Sequence, residues 1–158
     1  MTAWDLARSS AETMWAGDAA SRALGMEIVR VGPGSATVSM VVRPDMINGW
    51  DVCHGGLIAA LAESAFALAC NSHGEVTVAA GFDISLLEPA RLGDTLVATA
   101  GERSTRGRSG IYDVTVNRTA GDGSSMIAEF RGRSRSLGRP IADVVKPGAR
   151  PARRMRAW

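Results

Sequence analysis

The stretch from His54 to Cys70, HGGLIAALAESAFALAC, carries two features whose spacing could do chemistry. The first is Glu63, set among apolar residues, with Ala59 and Ala67 one turn to either side and no basic residue within four positions. Burying a lone carboxylate is costly enough that such groups are paired, protonated or functional. A solvated polar stripe would be the plain alternative, but Ser64 and His73 do not build one. The second is the pair Gly55 and Gly56, without side chains to obstruct close approach. At a helix start their free N–H groups point along the positive end of the dipole. A carboxylate can attack a carbonyl or activate water, and the amides can hold the oxygen that becomes negative. Eight helical residues separate Gly55 from Glu63, about 12 Å at 1.5 Å per residue. That is far for both to touch one carbonyl within a single chain, so each site is expected to combine the glycine turn of one subunit with the carboxylate of another.

The rest of the chain must position that helix. Leu6 to Trp15 carries apolar residues at helical intervals and ends near Gly17, which predicts a short amphipathic helix. Met26 to Val31 and Ser35 to Val42 are rich in β-branched residues and flank Gly32-Pro33-Gly34, as in a hairpin. Pro44 to Cys53 is an irregular loop containing Asn48-Gly49. The apolar helix follows and stops near Asn71 to Gly74. Strand candidates come next: Val76 to Leu87, Thr95 to Glu102, Gly110 to Arg118 and Ser125 to Ser136. They are punctuated by Pro89 and Gly93, by Gly107, and by Gly121-Asp122-Gly123. Ile111, Asp113, Thr115 and Asn117 alternate with Tyr112, Val114 and Val116, the pattern of a strand with one wet face. There is no βαβ rhythm, so the fold class is α+β with a mostly antiparallel sheet. A helix apolar nearly all round must be covered on most sides, and a curved sheet of about six strands wrapped around it does that.

The 158 residues fit one domain, over 1–141, followed by a basic tail over 142–158. That tail holds Lys146, Arg150, Arg153, Arg154 and Arg156 against Asp143, so the net charge of +2 leaves the body slightly acidic. With Pro147 and Pro151 and no apolar period, the tail is expected to be disordered. It could attract phosphates, but no nucleic-acid fold motif accompanies it, and no nucleic-acid partner is expected. No apolar run reaches the roughly 20 residues of a membrane span. Asp5 and Arg8 near the start do not make a secretory signal. Cys53 and Cys70 are too few and too far apart for a disulfide framework or metal knuckle, and read as small core residues of a cytoplasmic protein.

An ordered series of motifs resembles a known family. It comprises Asn48-Gly49, Cys53-His54-Gly55-Gly56, Leu61 to Ala67, Ala69 to Ser72, Glu88-Pro89, Leu92 to Leu96, Gly110 to Val114 and Phe130 to Ser134. Ala3-Trp4 and Ala23 to Met26 fit its start. Over residues 3 to 138 the chain resembles the hotdog-fold thioesterases of the phenylacetate-degradation (PaaI) type. The resemblance implies a hotdog fold, a long central helix wrapped by antiparallel strands. It also implies a homodimer with a continuous sheet and sites at the subunit interface, usually a dimer of dimers. The implied activity is hydrolysis of acyl-CoA thioesters, with aryl-acetyl or hydroxylated aryl-acetyl groups favoured. No metal or redox cofactor is implied, coenzyme A being part of the substrate. The Gly55 N–H becomes the principal donor to the carbonyl oxygen and Gly56 a substrate contact. Asn48 matches a polar residue that orients the water or the carboxylate, while an Asn-Gly turn also accounts for it. His54 braces or caps rather than acting as a base. One departure stands out: phenylacetate-type members carry Asp nine residues after the motif histidine, where this chain has Glu63, as in a sister group acting on 4-hydroxybenzoyl-CoA. The extra methylene moves the carboxylate by about an ångström, which matters to reaction geometry.

Arg103, Arg106 and Arg108, placed in the loop between two strands, form a basic patch suited to coenzyme A phosphates; a solvated hairpin tip is the other reading. Arg131 and Arg133, sharing a strand face, offer a second such patch. Two further functions belong to the same outline. Hydration or dehydration of acyl thioesters would want a His–carboxylate pair, which His54 and Glu63 of one chain are too far apart to make, though a neighbouring subunit could supply the partner. A non-catalytic acyl-CoA sensor would need no Glu63, and only the basic tail speaks for it.

Overall fold

A computed structural model of the protein describes residues 1–120 and 123–144. Helix α1 (Ala3–Gly17) starts on a capping box, in which the Thr2 hydroxyl accepts from the Asp5 N–H and the Asp5 carboxylate accepts from the Thr2 N–H. Periodicity stops the first helix near Gly17, but the structure adds a five-residue helix, α2 (Ala19–Ala23), that is too short to show a period. Strands β1 (Glu27–Gly32) and β2 (Ser35–Val41) form the expected hairpin. A 3₁₀ turn (Pro44–Met46) and a loop lead into α3 (Gly55–Asn71). Strands β3 (Glu75–Leu86), β4 (Thr95–Arg106), β5 (Ser109–Ala120) and β6 (Gly123–Pro140) follow, then a 3₁₀ turn at Ile141–Asp143. Of the expected β5–β6 turn, Gly121 and Asp122 lie outside the described residues, and so does the tail from residue 145 onward.

All pairings are antiparallel, in the order β1-β2-β4-β5-β6-β3. The sheet wraps α3, as the apolar circumference of that helix requires. Alternation delivers the covering: Ala36, Val38 and Met40 of β2, and Tyr112, Val114 and Val116 of β5, are buried, while their neighbours are less so. Phe66 of α3 is the aromatic centre, with its ring centroid 5.6 Å from Tyr112 and 5.7 Å from Phe130. The ring comes so close to β6 that a Cβ at Gly132 would lie 2.7 Å from it, which explains the glycine in mid-strand.

Both ends of α3 are tied down. At the start, the Cys53 N–H donates to the Ala90 carbonyl and the His54 N–H to the Met46 carbonyl. At the far end, the buried Asn71 carboxamide donates to the carbonyls of Ala67 (2.9 Å) and Thr77 (2.7 Å) and accepts from the Thr77 N–H (2.8 Å). Next to it Ser72 Oγ accepts from the Gly34 N–H, and the Glu102 carboxylate accepts from the Tyr112 hydroxyl and contacts His73 Nε2 at 2.6 Å. Three bonds on one buried side chain make Asn71 the costliest of these to remove. Asn71→Ala is expected to destabilise the fold by about 2–3 kcal/mol, measured by urea unfolding.

Candidate active site

The helix start is built by His54. It is the N-cap of α3, and its Nδ1 accepts from the Gly56 N–H at 3.1 Å. Accepting requires a lone pair on Nδ1, so the ring proton sits on Nε2. The bond removes the Gly56 N–H from use by a ligand. Gly55, one residue earlier, donates its N–H to nothing among the described residues, and it faces a cavity of about 290 Å³. A Cβ at Gly55 would lie 2.6 Å from Leu86 Cδ1, so the bare backbone is what keeps this approach open.

Asn48 shares that cavity. Its Oδ1 accepts from the N–H of Trp50 (2.9 Å) and of Val52 (3.4 Å), closing its own loop. The carboxamide oxygen is therefore committed, and Nδ2 is left as a donor. The far wall is Leu86, Leu87 and Glu88, from the end of β3 and the turn after it. Periodicity gave no sign of this wall, because nothing in the residue types marks where a strand end will face.

Glu63 is not in the cavity. It sits half-buried two turns along α3, and neither hydrogen bonds nor ion pairs among the described residues offset its burial. Burial pushes its carboxyl above the ordinary value, and the Asp18 carboxylate adds to the push. Cys70, two turns further on, is buried with its thiol pushed up to about 12, first by burial and then by Glu63. It is a packed thiol, not a nucleophile; Cys53 is likewise buried and free.

The arginines need a correction. Arg103 and Arg106 are not in a loop: β4 runs to Arg106, past a bulge between Glu102 and Ser104, and only Gly107 and Arg108 make the turn. A bulge breaks the period of two, which is why the strand reads as ending at Glu102. Arg103 lies 3.4 Å from Asp113, whose carboxylate also accepts from Arg131 at 2.7 and 2.9 Å. Arg133 pairs with Asp83 at 2.7 Å. Arg106 and Arg108 are exposed at the hairpin tip, beside the C-terminal end of α3. The structure thus brings Asn48, His54, Gly55 and Gly56 together, and leaves Glu63 and the arginines elsewhere in the same chain.

A six-stranded antiparallel sheet around one long helix, with a glycine turn at the helix start, defines the hotdog class of protein. The Thioesterase superfamily model matches residues 51–123. The chain is 40% identical over 132 residues to the acyl-coenzyme A thioesterase PaaI of Escherichia coli K12, covering 84% of this chain and 92% of that one. It is 35% identical over 82 residues to human acyl-coenzyme A thioesterase 13, across 50% of this chain and 59% of the human protein. The solved structure of the E. coli PaaI protein superposes with a TM-score of 0.84 at 38% identity, covering 88% of this chain and 99% of that one. The chain belongs to the thioesterase superfamily and is a hotdog-fold thioester hydrolase related to PaaI. No helix among the described residues is long and apolar enough to cross a membrane.

The lone carboxylate has a stability consequence whose sign is fixed. Because burial raises the Glu63 pKa above its ordinary value near 4.5, the native state holds that proton more tightly than the unfolded chain. The stability this gives is lost as pH rises through the raised value. Glu63→Gln is therefore expected to melt at a higher temperature than wild type at neutral pH, with the gap closing toward about pH 4. Calorimetry across that range measures it.

Proposed function

We propose that the protein hydrolyses the thioester of an aryl-acetyl-coenzyme A, phenylacetyl or hydroxyphenylacetyl, at a site shared by two subunits. The observation that carries the reading is the separation within one chain: the Gly55 N–H opens into a cavity with Asn48, while Glu63 lies outside it. The acyl carbonyl accepts from the Gly55 N–H of one subunit, and the Glu63 carboxylate of the other approaches its carbon. Glu63 either attacks, giving a mixed anhydride that water then opens, or takes a proton from the attacking water. Either way the C–S bond breaks, the sulfur leaves as the thiolate of coenzyme A and is protonated, and a carboxylic acid forms. The negative charge on the oxygen is met by an amide that is fixed before the reaction begins. A carboxylate, backbone amides and water suffice.

Pairing through β3 supports this reading. Among the described residues the strand pairs only with β6, which leaves one edge open along twelve residues, and Val78, Phe82 and Leu86 on it are exposed. An unpaired edge of that length is a template for a second copy. Antiparallel pairing would set two α3 helices side by side in opposite directions. With Glu63 of one level with Gly55 of the other, the helix end of the subunit donating Glu63, at Asn71, lies eight residues or about 12 Å beyond, with the hairpin tip beside it. Arg106 and Arg108 on that tip suit the coenzyme A phosphates, at the end of an extended pantetheine arm. Arg103 is a weaker candidate, since part of its charge is spent on Asp113, which also pairs with Arg131.

Two variants test the assignment, each followed by release of free coenzyme A from phenylacetyl-CoA. Glu63→Gln is expected to lower kcat by roughly 10²–10⁴, and undiminished turnover would remove Glu63 from the reaction. Gly55→Pro removes the N–H at a helix position that tolerates proline, and Gly55→Ala brings the same Cβ against Leu86 while keeping the N–H; the proline variant should turn over about 10²–10³-fold more slowly than the alanine one. Mixing the two inactive variants under subunit exchange should restore turnover, because a mixed dimer holds one intact site. No recovery would place both groups in one chain.

A further inference from the structure

Beside Glu63, the neighbouring residue Ser64 is buried, and its Oγ lies 2.9 Å from Ser21 Oγ on α2. Ser21 is buried too, and its hydroxyl donates to Asp18 Oδ2 at 2.7 Å, while its N–H donates to Asp18 Oδ1 at 2.9 Å. A serine hydroxyl has one proton. Ser21 gives its proton to Asp18, so the Ser64 hydroxyl must donate to Ser21. The bonds therefore run in one direction, from Ser64 through Ser21 to the Asp18 carboxylate. This ties the junction of α1 and α2 to the turn of α3 that carries Glu63.

We propose that Asp18 is a positioning residue for the reaction: its carboxylate, held against α3 by the Ser21–Ser64 bridge, sets the charge state and basicity of Glu63. The proposal rests on the reading of Glu63 as the reacting carboxylate. Burial alone would make that group a better base only by removing water from it. A second anion, fixed by two hydrogen bonds on a neighbouring helix, acts in the same direction without contacting the substrate. Other candidates for this influence are excluded by what they face. The strands wrapped around α3 turn apolar side chains inward, such as Val38, Met40, Leu96, Val114 and Phe130. The one inward hydroxyl of β5, on Tyr112, is spent on Glu102. Helix α1 buries only Ala7, Ser10 and Ala11. Arg22 of α2 is exposed and gives its Nε–H to the backbone carbonyl of Asp18 at 3.2 Å. On α3 itself Cys70 remains a neutral thiol through the working range. The upward push on the Glu63 carboxyl agrees in direction, burial acting first and the Asp18 charge adding to it.

The test is the pH dependence of kcat between pH 4 and 8 with one aryl-acetyl-CoA, for wild type, Asp18→Asn, Asp18→Ser and Glu63→Gln. Both Asp18 variants keep an oxygen able to cap α2, so loss of charge is separated from loss of the helix. The acid limb is expected to move to lower pH in both, making each variant a few-fold faster than wild type below the wild-type midpoint. The high-pH plateau should fall, as a weaker base predicts. Limbs that coincide with wild type would overturn the role of Asp18. If instead Glu63→Gln keeps both turnover and the limb, the reading of Glu63 fails, a different outcome from failure of this inference. A ¹³C titration of the Glu63 carboxyl in folded wild type and Asp18→Asn gives the same answer without turnover, and an unmoved midpoint would overturn it.

Discussion

A carboxylate on a helix that is apolar almost all round is unfavourable wherever that helix is buried, because desolvation penalises the charged form. Glu63 pays that penalty without a compensating partner among the described residues. The sheet packs against α3 and leaves ten of its seventeen residues buried. The tethers at its two ends, from Cys53 and His54 at one and from Asn71 and Ser72 at the other, prevent it from rotating the carboxylate out to water. Fixed elements of this kind cost no reorganisation when the reaction occurs. The same fixation keeps the Gly55 amide from closing on its own chain.

The geometry of one helix then dictates the assembly. A donor at its start and an acid two turns along cannot converge on a single carbon, whatever the side-chain rotamers. Two antiparallel copies solve this, since each start then meets the other's middle. The sheet permits it through the open edge of β3, which an isolated subunit could keep soluble only at some risk of aggregation. On the proposed reading, function and assembly therefore rest on one constraint, the length of two helical turns.

Much of this was legible in the residues. The change from helical period to alternation, and the apolar circumference of α3, give the α+β class and the wrapped helix. The Gly-Gly start and the isolated Glu63 mark both halves of the candidate site. What escaped reading had physical reasons. Helix α2 holds five residues, fewer than a period needs, although Asp18 three residues before Ser21 is a capping spacing and marks a start. Arg103 and Arg106 were placed in a loop because a bulge shifts the alternation after Glu102. The Leu86–Glu88 wall, and the link from Ser64 to Asp18, are long-range contacts, and no local pattern encodes which side chain a distant helix will meet.

The glutamate itself carries the last consequence. The resemblance to phenylacetate-type thioesterases implies an aspartate at this helical position, and an added methylene could in principle be absorbed by sliding the helix back by a similar amount. Here it cannot be. Asn71 locks the helix end to Thr77, and Ser72 locks it to Gly34, so α3 has no free travel along its axis. In the proposed shared site the carboxylate would therefore reach about an ångström further toward the neighbouring subunit, and the acyl carbonyl would sit correspondingly closer to Gly55 and to Leu86 across the cavity. Room for the acyl group on the Leu86–Leu87 side shrinks as the reach of Glu63 grows. On the proposed reading, acyl preference would thus be set jointly by side-chain length on one subunit and by the apolar wall of the other, and neither could change alone without displacing the carbonyl from its donor.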